Sequence, residues 1–264
     1  MREKLLCCIG KDIKECVRTG KLIIMEVMIL GLAVMIMGFT VVFSNIPEVL
    51  WEQLEGFDIG MIEQLVSQMY PKILRENMAI YAYYLGLMFS IVVILMTNGM
   101  LPGERDTGRW ILPMQHGYEK RCFLGSKIIV YGTASAASVF VGYLLYYFIA
   151  WTFMERNMSF GNALICALVH ACNLFFIVAY TFLFSMFFKS SVFSAVSMIL
   201  TIMLMPDIVR YFGFGKYLPF YLLTFVYDSS DRYSDIPVPF VLNVFILLVL
   251  YIVVSRKSDE MPVA

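Results

Sequence analysis

Apolar residues in this chain collect into long runs separated by short polar stretches, and each run is about the length of a bilayer crossing. A membrane core needs about 20 mostly apolar residues per helix. Windows of that size pick out six segments: 22–43, 79–101, 128–154, 162–188, 192–211 and 238–254. Runs this long exclude the alternating strands of about ten residues that build membrane barrels. The pattern predicts an all-α polytopic membrane protein, with residues 1–264 forming a single transmembrane domain.

Two stretches outside the runs carry a helical rhythm of their own. In residues 1–21, Leu5, Leu6, Ile9, Ile13, Cys16 and Val17 fall on one face at 100° per residue, and Lys4, Lys11, Lys14 and Arg18 fall opposite. An apolar stripe with a basic back predicts an interfacial helix lying on an anionic cytoplasmic leaflet. The plainer alternative is a basic flank that only fixes topology. The outer loop 44–78 is acidic (Glu48, Glu52, Glu55, Asp58, Glu63, Glu76) and holds a second stripe of Ile59, Ile62, Leu65, Val66, Met69 and Ile73, interrupted at Pro71. Resting on the outer leaflet, packing on a neighbouring subunit and touching cargo all suit such a helix, and packing suits it best.

Composition sharpens the picture. Of 264 residues 60% are hydrophobic and 15% charged, with a mean hydropathy of +0.77, whereas soluble domains run near 45–50% and about 25%. Lipid must therefore cover part of the surface. The net charge of zero gives no sign of a nucleic-acid partner. Basic residues are unevenly shared. Fourteen fall in the N-terminal segment, in 102–127, at Lys189 and at Arg256 and Lys257, against five opposite (Lys72, Arg75, Arg156, Lys216, Arg232). The positive-inside rule places both termini in the cytoplasm of a cell-membrane protein, with the first run as an uncleaved anchor. Cys7, Cys8, Cys16 and Cys122 then face the reducing side and Cys166 and Cys172 lie in lipid, so neither a disulfide framework nor a metal site is expected.

Segment 102–127, between the second and third runs, is the least loop-like connection. It reads Leu-Pro-Gly-Glu-Arg-Asp-Thr-Gly-Arg-Trp-Ile-Leu from Leu101 and His-Gly-Tyr-Glu-Lys-Arg-Cys-Phe-Leu-Gly-Ser-Lys from His116. Charge, glycines and the apolar patch Trp110, Ile111, Leu112 and Met114 are the makings of a docking element. Glu104, Gly108, Leu112, Lys120, Arg121, Gly125 and Lys127 stand in the order in which the type-2 ATP-binding-cassette (ABC) permease family carries them, and the segment resembles that family there. Lys216-Tyr-Leu-Pro-Phe-Tyr-Leu-Leu-Thr resembles the family's short outer re-entrant helices. The resemblance implies an exporter permease whose cytoplasmic coupling helix, with Glu104, Arg105, Gly108, Arg109 and Trp110 as its contact set, sits in a groove on a separate P-loop ATPase subunit. It also implies a second permease copy, identical or related, and ATP with magnesium held by the ATPase. A peptide or another amphiphile is the cargo that fits best.

The remaining chemistry is sparse. Gly103 and Gly108 have P-loop spacing, but Arg109-Trp110 stands where the motif needs Lys-Ser/Thr, and no strand precedes it. No catalytic, cofactor or metal residues are assigned. His116 and His170 are the two histidines, and His170 with Asn173 one turn on reads as a polar helix–helix contact. Glu26 sits about one turn inside the first run, Asp207 and Arg210 pair at i, i+3, and the small residues from Thr133 to Ser138 read as packing. Two other functions compete with export. A membrane-embedded enzyme would need a polar constellation at membrane depth. A non-transporting anchor or sensor would bind a partner through 102–127 without stimulating ATP turnover.

Overall fold

The computed structural model describes residues 2–44, 71, 73–109, 114–115, 117–188, 190–211, 217, 221–227 and 233–260. Among these residues the chain is helical, without a β-strand, and one isolated parallel bridge joins Ile73 to Glu155. The helix α1 (Arg2–Arg18) stops at Gly20, which takes φ +70 and donates its N–H to the Val17 carbonyl at 3.1 Å. Glycine reaches this left-handed region without the cost a side chain would add. Immediately after the elbow, α2 (Lys21–Ser44) enters the first apolar run.

The second run is a composite: α3 (Leu74–Tyr84), a single π turn (Leu85–Phe89), α4 (Ser90–Asn98) and α5 (Met100–Asp106). Pro102 is tolerated because it sits in the first turn of α5, where its missing N–H would have no intrahelical partner. Then come α6 (Lys120–Phe153), α7 (Phe160–Phe187), α8 (Ser191–Tyr211), the short α9 (Tyr221–Tyr227), a 3-10 turn (Tyr233–Asp235) and α10 (Pro237–Glu260).

Among the described residues, five stretches are long and apolar enough to cross a membrane: Lys21–Val42, Leu74–Glu104, Arg121–Phe153, Phe160–Phe187 and Tyr233–Arg256. That marks a multi-pass membrane protein. The expected run 192–211 falls on α8, whose apolar part, Ser191–Met205, is shorter than the other five. Boundaries also move. The second span begins at Leu74 and not at 79, and α6 begins at Lys120 and not at 128, so both spans reach into what the hydropathy window assigned to connections. Hydropathy sees lipid-facing length, whereas a helix continues wherever neighbours cover its polar turns. The expected outer-loop helix from Ile59 lies outside the described residues apart from Ile73.

Within the bundle, α7 is the most enclosed helix, surrounded by α4, α6, α8, α9 and α10. On α6, two glycines admit neighbours. A Cβ on Gly132 would stand 2.8 Å from the Phe175 ring of α7, and one on Gly142 would stand 2.1 Å from Ile29 Cγ2 of α2. Far from α1, Tyr146 stacks on Tyr81 with ring centroids 3.9 Å apart and donates its hydroxyl to Asn77 Oδ1. Asn77 Nδ2 donates to Thr40 Oγ1 at 3.0 Å, so α2, α3 and α6 share a satisfied polar cluster there. At the opposite end, Tyr251 of α10 donates to the Arg121 carbonyl at 3.2 Å. The N-terminal helix and the end of α10 therefore lie at the same end of the bundle.

The face of α1 differs from the expected single stripe. Leu5, Cys8, Ile9, Asp12 and Cys16 turn toward the bundle, Leu6, Ile13 and Val17 are exposed, and Lys11, Lys14 and Arg18 form a third, polar side. Packing against α6 claims half of the apolar residues together with a carboxylate.

Candidate functional site

Where α1, α5 and α6 converge, four charged side chains meet. Lys127 Nζ of α6 lies 3.3 Å from Asp12 Oδ1 of α1 and 3.1 Å from Glu104 Oε1 of α5. From α1, Lys11 Nζ reaches the same Glu104 oxygen at 3.2 Å, and Ser126 Oγ donates to Asp12 Oδ2 at 2.5 Å. The side chains of Lys127, Asp12 and Glu104 are 0%, 3% and 6% exposed. Charges so enclosed survive only when paired and hydrogen-bonded, and here Asp12 and Glu104 each have a lysine ammonium within 3.3 Å.

Burial raises the Asp12 carboxyl above its ordinary value, and the pull of Lys127 and the Ser126 hydrogen bond offset only part of that rise. Burial would lower Lys11, but the charge and hydrogen bond of Glu104 outweigh it and raise the ammonium. The oxygens of Asp12, Glu15 and Glu104 lie within 4.8 Å of one another, the one such group among the described residues. Lys127 and Lys11 pair with two of those carboxylates, Asp12 and Glu104.

The chain leaves this cluster through a well-defined stop. Gly108 has φ +67, and the Arg109 N–H donates back to the Glu104 carbonyl at 2.9 Å, the six-to-one bond of a Schellman cap. Thr107 adds Oγ1 to the Gly103 carbonyl at 2.7 Å. Further on, the Gly117 N–H donates to the Met114 carbonyl at 2.8 Å, with Gly117 at φ +76. Lys4 Nζ donates to the Gly117 carbonyl at 2.7 Å, and its ammonium lies 5.8 Å from the Tyr118 ring centroid. Between these ties, Cys8 packs on Cys122 and Phe123, where burial and the nearby Cys122 push its thiol up to about 11. Lys4, Cys8 and Asp12, spaced four apart, thus fasten α1 to the returning chain at three successive turns.

The residues singled out from sequence have different fates. Glu104 turns inward and is part of the ion cluster. Gly108 is the left-handed residue of the cap, and Arg109 is exposed beyond it. Arg105 lies in α5, and Trp110 lies outside the described residues. Sequence reasoning missed Asp12 and the pairing role of Lys127. The available signal was an acid four residues from Cys8 and from Cys16, on the inner side of a basic helix.

Elsewhere, Glu26 accepts a hydrogen bond from Ser138 Oγ at 2.6 Å, and Ser135 lies 3.8 Å from Met25 Sδ, so the small-residue run carries the packing of α6 on α2. His170 is fully buried beside the Tyr143 ring, with centroids 6.5 Å apart. His116 and the side chains of Asp207 and Arg210 lie outside the described residues. Comparison with protein-family models, with characterised proteins and with solved structures finds no match for this chain.

Proposed function

We propose that this chain is the permease subunit of an ABC exporter, with six spans, both termini in the cytoplasm, and a peptide or other amphiphile as cargo. The observation that carries this reading is the ion-paired junction of Asp12, Lys127, Glu104 and Lys11 beneath the Gly108 cap. A connection that merely joined two spans would need no enclosed ion pairs. One that must transmit force from a partner needs its base fixed to more than one helix, and this base is fixed to α1, α5 and α6 together. Movement applied to the turn beyond Gly108 then passes to the second and third spans as one body.

In this reading a separate P-loop ATPase holds ATP and magnesium, and its closure on nucleotide pushes the segment around Arg109 and Trp110. A second copy of the chain, or a close relative, completes the path. The roles of the two charged residues divide. Glu104 secures the base from within, and Arg109 is the exposed group that meets the partner.

The test is purification from native membranes in mild detergent, with an ATPase assay and mass spectrometry on the eluate. A co-purifying P-loop ATPase with vanadate-sensitive turnover is the expected result. Arg109→Glu should leave membrane insertion intact while separating ATP turnover from transport. An ATPase-free protein from well-preserved membranes, or transport that survives Arg109→Glu unchanged, would overturn the proposal.

A further inference from the structure

The three-sided form of α1 leaves one face uncovered by any described residue. Leu6, Ile13 and Val17 are 58%, 49% and 60% exposed, while the neighbouring face is committed to α6. At 100° per residue these three side chains fall within about 40° of one another, and Lys14 and Arg18 follow on the solvent side of the same stripe. Both cations are exposed, and neither makes an ion pair or a side-chain hydrogen bond to a described residue. Lys4 and Lys11, by contrast, are engaged with the Gly117 carbonyl and with Glu104.

The exposed stripe also continues beyond its own helix. Across the Gly20 elbow, α2 presents Ile23, Ile24, Val27 and Leu30, all exposed, in a span that must face lipid on part of its surface. An apolar stripe joined to a lipid-facing span and edged by two unengaged cations matches a boundary of acyl chains beneath anionic phosphates.

We infer that α1 is a binding face for acidic phospholipid, with Leu6, Ile13 and Val17 entering the acyl boundary and Lys14 and Arg18 holding headgroup phosphates. The inference does not depend on an ATPase partner. Its mechanical consequence does reach the ion cluster, because Lys11 and Asp12 lie on the same rigid helix. Seating α1 on an acidic leaflet fixes the support of Glu104 and Lys127, and a neutral leaflet leaves that support held by protein contacts alone. Each basic residue at such a surface is worth about fivefold in partition, so the pair gives roughly thirtyfold.

A nitroxide placed on Val17→Cys, in a chain carrying Cys7→Ser and Cys172→Ser to remove the other accessible thiols, reports depth through collisions with oxygen and with a water-soluble nickel chelate. The full-length protein is compared in nanodiscs of phosphatidylcholine and of phosphatidylcholine with phosphatidylglycerol. The expected result is an oxygen-to-nickel collision ratio several-fold higher in the acidic discs. That gain should vanish in Lys14→Gln/Arg18→Gln and at about 1 M salt, where the screening length shrinks to roughly 3 Å. Equal ratios in the two lipids, or a gain that survives both the double substitution and high salt, would overturn the inference. The salt arm needs no substitution at Lys14 or Arg18, so a variant that folds poorly does not rescue it.

Discussion

Lys127 and Asp12 are separated by 115 positions in sequence, yet their charged atoms lie 3.3 Å apart in an interior closed to solvent. The pair joins the first helix of the chain to the third span, and Glu104 brings the end of the second span to the same ammonium. Enclosed charges of this kind add little net stability over an apolar replacement, but removing one partner is expensive.

Lys127→Met should therefore destabilise the protein by about 3–5 kcal/mol, because it leaves the buried Asp12 carboxylate without a cation and Glu104 with Lys11 alone. The triple variant Asp12→Asn/Glu104→Gln/Lys127→Met should regain most of that loss. Thermal unfolding in detergent micelles reads both. A well-tolerated single Lys127→Met would show that the cluster is hydrated and not enclosed.

Gly108 should resist replacement by a β-branched residue. Its φ of +67 costs about 1–2 kcal/mol for most side chains and less for asparagine. Gly108→Val should loosen the cap, seen as faster amide exchange at Arg109 and Thr107 with unchanged protection in the spans. Gly108→Asn should behave close to the parent chain. Equal exchange in all three proteins would remove the cap from the account.

Gly142→Ala tests the crossing of α2 and α6. The added methyl would lie 2.1 Å from Ile29 Cγ2, and β-branched Ile29 has little rotamer freedom with which to yield. Overpacking should cost about 1–3 kcal/mol. Ile29→Ala in the same chain should recover part of it, giving a non-additive cycle in thermal unfolding. Strict additivity would mean that the two helices part without cost.

Alkaline pH should weaken the hold of α1. Lys11 is raised above its ordinary 10.5 by Glu104 in spite of burial, so its contribution is fully present below that pH and is lost as pH rises through the higher folded value. Asp12, raised above 3.8 by burial, acts at the other end. It favours the folded state at low pH, and that contribution disappears as pH rises through its raised value. Up to about pH 9 the titration of Lys11 should leave the melting temperature unmoved. Above pH 10.5 the parent should lose more stability than Lys11→Met, and identical alkaline slopes would show that the Lys11–Glu104 pair is idle.

The spans were legible because lipid exposure writes itself into hydropathy, and five of the six expected runs return as helices of crossing length. The polarity of α1 was legible in outline only. Its stripe mixes residues that face α6 with residues that face outward, and no rule of spacing separates Leu5 from Leu6 or Ile9 from Ile13 before a neighbour is in place. Glu104 illustrates the same limit in the candidate site. Its position after the second span marks it as important, but a carboxylate that meets a partner and one that meets Lys127 look identical until α1 and α6 supply opposing charges. Gly108 was legible in position, and its conformation explains why a glycine stands there.

The uninterrupted run of α6 from Lys120 to Phe153 has a geometric consequence. At 1.5 Å per residue it is a rod about 50 Å long, well beyond the roughly 30 Å of a hydrocarbon core. Its ends bear two polar anchorages, Lys127 among its carboxylates and Tyr146 on Asn77, and Gly142 lets Ile29 press against it between the middle and the far anchorage. A rod so held converts rotation into displacement. A tilt of about 10° about its midpoint carries each end through roughly 4 Å in opposite directions. A push delivered beside Lys127 would arrive at the far leaflet as a swing of the tyrosine pair, with no helix having to bend on the way.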